Sequence, residues 1–385
     1  MTDGHLRPSL AIVRSLGRAG YRVFVCSPRR RSLAGVSRFA VAEAQVPDPL
    51  SQPAQFAEAV ASLASRWQVE IVLPVSEEAI LALLPAADRM AGVRIPTVPL
   101  DVFRRVADKE AVTALAATLG IAVPKQVVLR DKDGLIGSEL AAISFPVVLK
   151  PARSVSGEGP DREKLGVSYA NDRDELQHMV EVLSPSAFPL LLQERIQGPG
   201  TGIFLLTWKG RLIAQFAHRR IREKPPSGGV SVCAESIEAD PQAVERSLTL
   251  LEALNWSGPA MVEFKQDRST GRLYLMEING RFWGSLQLAI DAGVDFPALL
   301  LGAALGAEPA PVTRYAVGVR VRWWWGEVDH LLARLRGRAN SPELGSRLAA
   351  VGRFLWPGAG VKNEVWRVSD PRPALRETME WVRGR

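Results

Sequence analysis

The chain has 385 residues, 47% hydrophobic and 23% charged, with 48 lysines and arginines against 41 aspartates and glutamates, a formal net charge of +7. This composition excludes a disordered chain, and the length exceeds one ordinary core, so two or three domains are expected. The positive surplus is too scattered to read as a nucleic-acid surface: Arg29-Arg30-Arg31 is the one run of three basic residues, and no aromatic residue interleaves it.

No signal peptide and no apolar run of about 18 residues is visible, so a cytoplasmic protein without a membrane segment is expected. The two cysteines, Cys26 and Cys233, stand far apart without metal spacing. Cys26 reads as a buried strand thiol.

In chain order, Ser9 to Ala19 carries Leu10, Val13, Leu16 and Ala19 at helical spacing, and Gly20 ends that helix. Tyr21 to Cys26 is a β-rich run, Phe56 to Arg66 is amphipathic, and Val69 to Leu73 reads as a strand. Alternation of this kind predicts a parallel sheet with helices on its faces, a Rossmann-like α/β domain over residues 1–105. The first strand of such a unit is missing, since the chain opens at the turn Met1-Thr-Asp-Gly4; either it is absent or the assigned start lies too far downstream. No G-x-G-x-x-G follows Asp3-Gly4, which argues against a dinucleotide there.

A second helix runs from Ala107 to Gly120, and the pattern then turns β-rich at Gln126 to Leu129, Val147 to Lys150, Leu190 to Glu194, Ile203 to Trp208 and Leu212 to His218. Asn171-Asp172 starts a helix ending near Leu183. An α+β domain over 106–305 fits this order. Residues 306–385, with a strand at 364–368 and a final helix, read as an appended lobe.

The most informative segment is a hairpin, Met261-Val-Glu-Phe-Lys265 and Leu273-Tyr-Leu-Met-Glu-Ile-Asn279, around the turn Asp267 to Gly271. Alternation puts Val262 and Phe264 on one face and Glu263 and Lys265 on the other; Glu277 and Asn279 also share a face. A turn centred near residue 270 sets Glu263 opposite Glu277. Facing carboxylates repel, and a hard divalent cation reverses that penalty, with Asn279 adding a carbonyl oxygen. Arg281 can then grip a phosphate or carboxylate with two hydrogen bonds. A solvated hairpin explains these four residues about as well, and three other segments tip the balance.

Val147-Val-Leu-Lys150-Pro151 ends a buried strand in a lysine, followed by the small, polar Ala152 to Gly159, which suits closure over phosphates and includes Ser154. Leu191-Leu-Gln193-Glu194-Arg195-Ile196 passes from strand to hinge, where backbone groups could meet an adenine edge. His218-Arg219-Arg220-Ile-Arg222-Glu-Lys224 crowds four cations and a histidine before Ser227-Gly-Gly229, and we read it as a cationic loop serving phosphoryl transfer or an anionic substrate. His218 is a candidate general base, whereas His5, His178 and His330 read as surface or capping residues. Trp323-Trp324-Trp325 reads as packing of the last lobe onto the preceding domain.

The order Asp108-Lys109, Lys150, Glu194 to Ile196, Glu263 and Glu277-x-Asn279-x-Arg281 resembles the ATP-grasp superfamily over roughly residues 1 to 305, closest to bacterial predicted carboligases. The resemblance implies an ATP-grasp fold behind a pre-ATP-grasp domain. It also implies that Lys109, Lys150 and Ser154 meet ATP phosphates, that Gln193 to Ile196 line the adenine pocket, and that Glu263, Glu277 and Asn279 hold magnesium, or manganese in its place. Arg281, with Arg220, Lys224 and His218, would then serve the transfer of phosphate to a small-molecule carboxylate and attack by an amine. A homodimer through the first domain is common in the family. Two departures stand out. The stretch after the hinge, Gly198-Pro-Gly200-Thr201, lacks a ribose-binding glutamate, and no acid follows Arg281 in Phe-Trp-Gly-Ser285, which sets amide ligation ahead of bicarbonate activation, of the carboxylase or carbamoyl-phosphate-synthetase kind. A non-catalytic ATP-binding module is the remaining alternative.

Overall fold

The computed structural model describes residues 1–385 apart from 91, 137–142, 158, 227–228, 336–343, 357 and 385. Glu158 of the loop after Lys150 and Ser227-Gly228 of the turn after Lys224 therefore lie outside the described residues.

The chain begins with α1 (Arg7–Arg18), whose residues from Pro8 to Leu16 are all buried. This exceeds the predicted stripe, because Leu10, Ile12 and Val13 share a core with Trp283, Leu286 and Phe296 from much later in the chain. Strands β1 (Val23–Ser27) and β2 (Ala40–Gln45) pair in parallel, as the alternation predicts. Helices α2 (Pro53–Arg66) and α3 (Glu77–Leu83) follow. The strand expected at 69–73 is reduced to one parallel bridge between Ile71 and Arg94. Residues 1–4 run beside β1: the Cys26 amide donates to the Met1 carbonyl at 2.8 Å, and the Thr2 amide donates to Leu73 at 3.1 Å.

Next come α4 (Leu100–Ala107) and α5 (Lys109–Thr118), with Asp108 capping α5 by accepting from the Ala111 amide. A small antiparallel sheet is built from β3 (Gln126–Leu129), β4 (Val147–Pro151), and, after the short β5 (Val155–Ser156) and β6 (Glu163–Lys164), from β7 (Ser168–Ala170). Helix α6 (Arg173–Glu181), capped by Asp172, leads to β8 (Leu190–Glu194), and the strand order is β3-β8-β4-β7. Strands β5 and β6 pair as a miniature hairpin over the cleft described below. Its turn needs glycine at 157, where φ is +86° and a Cβ would sit 2.4 Å from the Asp161 carbonyl.

The large sheet starts with β9 (Gly200–Trp208), β10 (Arg211–Lys224) and β11 (Val230–Ser236). After α7 (Pro241–Ala253) come the hairpin strands β12 (Gly258–Gln266) and β13 (Leu273–Asn279), then α8 (Leu286–Asp291), α9 (Phe296–Ala304) and β14 (Arg320–Arg322). Helices α10 (Trp324–Leu335) and α11 (Leu344–Leu355), strand β15 (Lys362–Asn363) and α12 (Arg372–Val382) complete the chain. The order is β13-β12-β9-β10-β11-β14-β15, so two strands beyond residue 305 extend the same sheet.

Two expectations are corrected here. Residues 218–224 are not a loop: they end β10 and pair with β11, which spreads their charges over two faces instead of clustering them. Residues 364–368 are not a strand; the Asn363 side-chain oxygen accepts from the Val365 and Trp366 amides and turns the chain. The last segment is tied to the first by Arg14, fully buried, which donates to Asp370 at 2.9 Å and to the carbonyls of Glu364, Val365 and Asp370. Among the described residues no helix is long and apolar enough to cross a membrane.

Candidate functional site

The hairpin register is the expected one at its functional end: Glu263 lies opposite Glu277, and Met261 opposite Asn279. Past Glu263 a bulge shifts the pairing, so Phe264 faces Leu275. Val262 and Phe264 are buried in the core, which drives Glu263, Glu277 and Asn279 to the opposite face. That face looks into a cleft of about 570 Å³ that also reaches Lys109, Ser154, His218, Arg220 and Arg281.

Each carboxylate has its own cation. The Arg220 guanidinium lies 2.7 Å from Glu263 and also donates to Glu223 at 3.0 Å. Lys109, at the start of α5, lies 3.8 Å from Glu277 and donates to Ser154 at 2.9 Å. The Asn279 amide donates to Glu277 at 2.9 Å, and its oxygen accepts from Arg281 at 3.1 Å. Burial pushes both carboxyls up. For Glu277 that push is outweighed by Lys109, the Asn279 bond, Lys150 and Arg281, leaving it below the usual range. Glu263 stays raised despite Arg220, with Glu277 adding to the rise. Lys150 is buried and is not among the residues that line the cleft; burial lowers its ammonium pKa while Glu277 pulls the other way. Two opposed carboxylates, one comfortable and one not, with an amide oxygen beside them, match the donor set of a magnesium site.

The opposite wall of the cleft comes from the first hundred residues and from the β5–β6 hairpin. Ser76 caps α3, and Glu77 and Glu78 follow it. Glu78 accepts from Lys164 of β6 at 2.6 Å, linking the first region to the hairpin over the cleft. Glu77 also lines the cleft, near Arg281 and Lys109. Sequence reasoning missed both residues: Ser76-Glu77-Glu78 has the form of a helix start, and nothing local says what that start faces.

At the far end, His218 is buried and its Nε2 lies 2.8 Å from the Ser285 hydroxyl. Burial, with Arg220 nearby, drives its pKa down to about 3, so the ring is neutral and too weakly basic to retain a proton. It is better suited to orienting Ser285 than to the general-base role expected of it. Trp323 lines this end, with Arg7 stacked on its ring at 4.0 Å and Lys224 at 5.5 Å from the ring centre. The other two tryptophans pack within the last segment and not onto the preceding domain as expected: Trp324 against Phe354, and Trp325 stacked on Trp381 at 4.1 Å.

Not every candidate converges. Lys224 pairs with Asp329 of α10, Arg222 with Glu327, and Arg219 with Glu235. These three cations of β10 thus meet acids on neighbouring elements, and among the described residues of this segment Arg220 is the one paired with a hairpin glutamate, Glu263. Gln193, Glu194, Arg195 and Ile196 do not line the cleft. Gln193 is buried and donates to Gln126 at 2.8 Å, Arg195 lies over Tyr169, and the Ile196 carbonyl accepts from Lys265 at 3.4 Å. The hinge is fastened to the hairpin turn, since the Arg268 amide donates to Gln197 and that of Gln266 to Pro199. His330, expected at the surface, is half-buried and bonds the Glu223 carbonyl at 2.6 Å through Nδ1; His5 is half-buried too, and His178 is exposed in the last turn of α6.

Residues 186–326 match the family model described as ATP-grasp in the biosynthetic pathway with Ter operon. The D-alanine–D-alanine ligase B of Xanthomonas campestris pv. campestris is 27% identical over 213 residues, which are 50% of this chain and 63% of that ligase, so the chain spans less than two thirds of this relative's length. Among solved structures, the L-amino acid ligase of Bacillus licheniformis superposes with a TM-score of 0.62 at 19% identity, covering 80% of this chain and 73% of that one. An ADP complex of N5-carboxyaminoimidazole ribonucleotide synthetase gives 0.66 at 14% identity, covering 92% and 95%. These two structures share the fold.

Proposed function

We propose that this chain, a member of the ATP-grasp superfamily, uses MgATP to phosphorylate a carboxylate and joins the resulting acyl phosphate to an amine. The observation that carries the reading is the Glu263–Glu277 pair with Asn279, in one cleft with Lys109, Arg220 and Arg281. Relatives named as ligases point the same way.

Glu263, Glu277 and Asn279 would hold magnesium, which supplies charge neutralisation for the phosphates and a fixed in-line geometry. Lys109 would meet phosphate oxygens from the cleft wall, steadied by Ser154, with Lys150 as the second candidate lysine. A carboxylate oxygen attacks the γ-phosphorus, the bond from that phosphorus to the bridging oxygen breaks, and ADP leaves. The amine nitrogen, as the free base, then attacks the acyl carbon, the carbon–oxygen bond to phosphate breaks, and inorganic phosphate leaves, with the proton shed by the nitrogen passing to the phosphate or to water. Arg281 and Arg220 face the charge that develops in both steps. No nucleophile from the chain is needed.

The test is to incubate the full chain with MgATP and a panel of carboxylates, bicarbonate among them, with amines or with hydroxylamine as a trap. ADP and phosphate release with hydroxamate formation is expected. Release of AMP overturns the acyl-phosphate route, ADP release with bicarbonate alone turns the reading toward carboxylase chemistry, and no release from any combination leaves a nucleotide-binding module.

A further inference from the structure

We propose that Glu77 receives the charged amino group of the substrate, so that the cleft takes an acceptor bearing an ammonium. The proposal rests on the ligase reading and names the chemical class of the amine.

Glu77 faces the hairpin from the other wall of the cleft. Its Oε1 is closed off from solvent and has no hydrogen-bond partner. Its neighbour Glu78 is committed to Lys164, and the cations nearest to Glu77 are committed as well. Arg281 donates to the Phe282 carbonyl at 2.9 Å and to Asn279, while Lys109 is held by Ser154 and Glu277. Burial therefore raises the Glu77 carboxyl more than Arg281 and Lys109 lower it.

A carboxylate withdrawn from water without a partner is unfavourable, and an entering ammonium supplies the missing charge and hydrogen bond together. A metal ion is the other cation such a group could take. Among the described residues, however, no three acidic, histidine or cysteine side chains come together as a metal cage, which separates Glu77 from the Glu263–Glu277 pair. An uncommitted carboxylate in a cleft full of paired charges marks a ligand subsite. Placed across from Arg281, it would hold the nitrogen near the carbon where the acyl phosphate forms and take the proton that the ammonium must lose before its lone pair attacks.

Ligand-observed saturation-transfer NMR on the full chain with MgADP tests this, using glycine, the other proteinogenic amino acids and putrescine, each beside its N-acetylated form. At least one amine should show transfer that N-acetylation abolishes. Glu77→Gln, which keeps the shape and removes the charge, should weaken that binding about tenfold or more, and Glu77→Asp should retain part of it. MgADP affinity and Mn2+ binding followed by electron paramagnetic resonance should hold within about twofold, since a merely structural loss would lower them too. The proposal is overturned if no amine binds, if the acetylated forms bind equally, if Glu77→Gln binds amines as wild type does, or if metal and nucleotide binding fall in parallel. ADP release by the wild-type chain with the carboxylate panel reads the ligase reaction separately, so it can stand while this assignment fails.

Discussion

Glu263 and Glu277 stand opposite one another on β12 and β13, and each is answered by a cation from a different part of the chain: Arg220 of β10 at 2.7 Å and Lys109 of α5 at 3.8 Å. Two half-buried like charges side by side are unfavourable, so the arrangement is stable only while those cations, or a metal, face them. A divalent ion entering between the carboxylates would free Arg220 and Lys109 to turn toward phosphate.

Removing one of the two charges tests this exchange. Glu277→Gln should lower turnover by about 10²-fold or more and weaken Mn2+ binding, with the far-ultraviolet circular dichroism unchanged. ADP release at the wild-type rate would refute the metal assignment.

His218 titrates near 3, far below the working range. His218→Gln should therefore slow the reaction without changing the shape of the rate profile between pH 5.5 and pH 9. Loss of an acidic limb in that variant would show that the imidazole does exchange protons during turnover.

The contact between Lys164 and Glu78 joins the β5–β6 hairpin to α3, yet Lys164 is 65% exposed on its side chain. An ion pair of that kind stabilises a fold by at most about 1 kcal/mol. Lys164→Ala should leave the melting temperature nearly unchanged while raising the KM for ATP, because the hairpin then loses its ion pair to the opposite wall of the cleft. A shift in melting temperature with constant KM would contradict that role.

Glu377 is the clearest pH-dependent element outside the cleft. Burial lifts its carboxyl to about 7, against the bond it accepts from the Trp323 indole at 2.7 Å. A raised acid binds its proton more tightly folded than unfolded. Its contribution is complete below pH 4.5, its unfolded value, and fades as the pH rises through about 7. Glu377→Gln keeps the acceptor for Trp323 without the charge, so it should stabilise the protein at pH 8 by about 1–3 kcal/mol and flatten the stability slope between pH 5 and pH 7. Denaturant titrations at several pH values measure both.

Arg14 joins α1 to the last segment through Asp370, with both side chains out of solvent. Arg14→Ala leaves that carboxylate buried without its partner and should cost about 3–5 kcal/mol in a denaturant melt. Arg14→Lys should fall only partly short of that loss, since an ammonium cannot span Asp370 and three carbonyls at once.

Much of the small sheet was legible because strands declare themselves over a few residues: β3 and β8 lie where alternation puts them. The Glu263–Glu277 pairing was legible for a related reason, since counting outward from a turn centred near residue 270 sets that register, although a bulge lies between the turn and the pair. The segment 218–224 misled because its charges obscured its period. As strand β10 it disperses those charges to Glu223 within the segment and to Glu235, Glu327 and Asp329, and local spacing could nominate none of these last three.

From the order of its residues alone, then, the hairpin, its two facing glutamates, Asn279 and Lys150 could be marked as a candidate metal-and-phosphate site, since these follow from alternation, turn position and a strand end, while Lys109 came from the family resemblance. The tertiary structure decided which charges are paired and which are left over. It set Arg220 against Glu263, withdrew Lys224 to Asp329, silenced His218 by burial, and brought Glu77 from an ordinary helix start to the far wall of the cleft. Burial and charge compensation arise between segments remote in the chain, and no short-range pattern carries them.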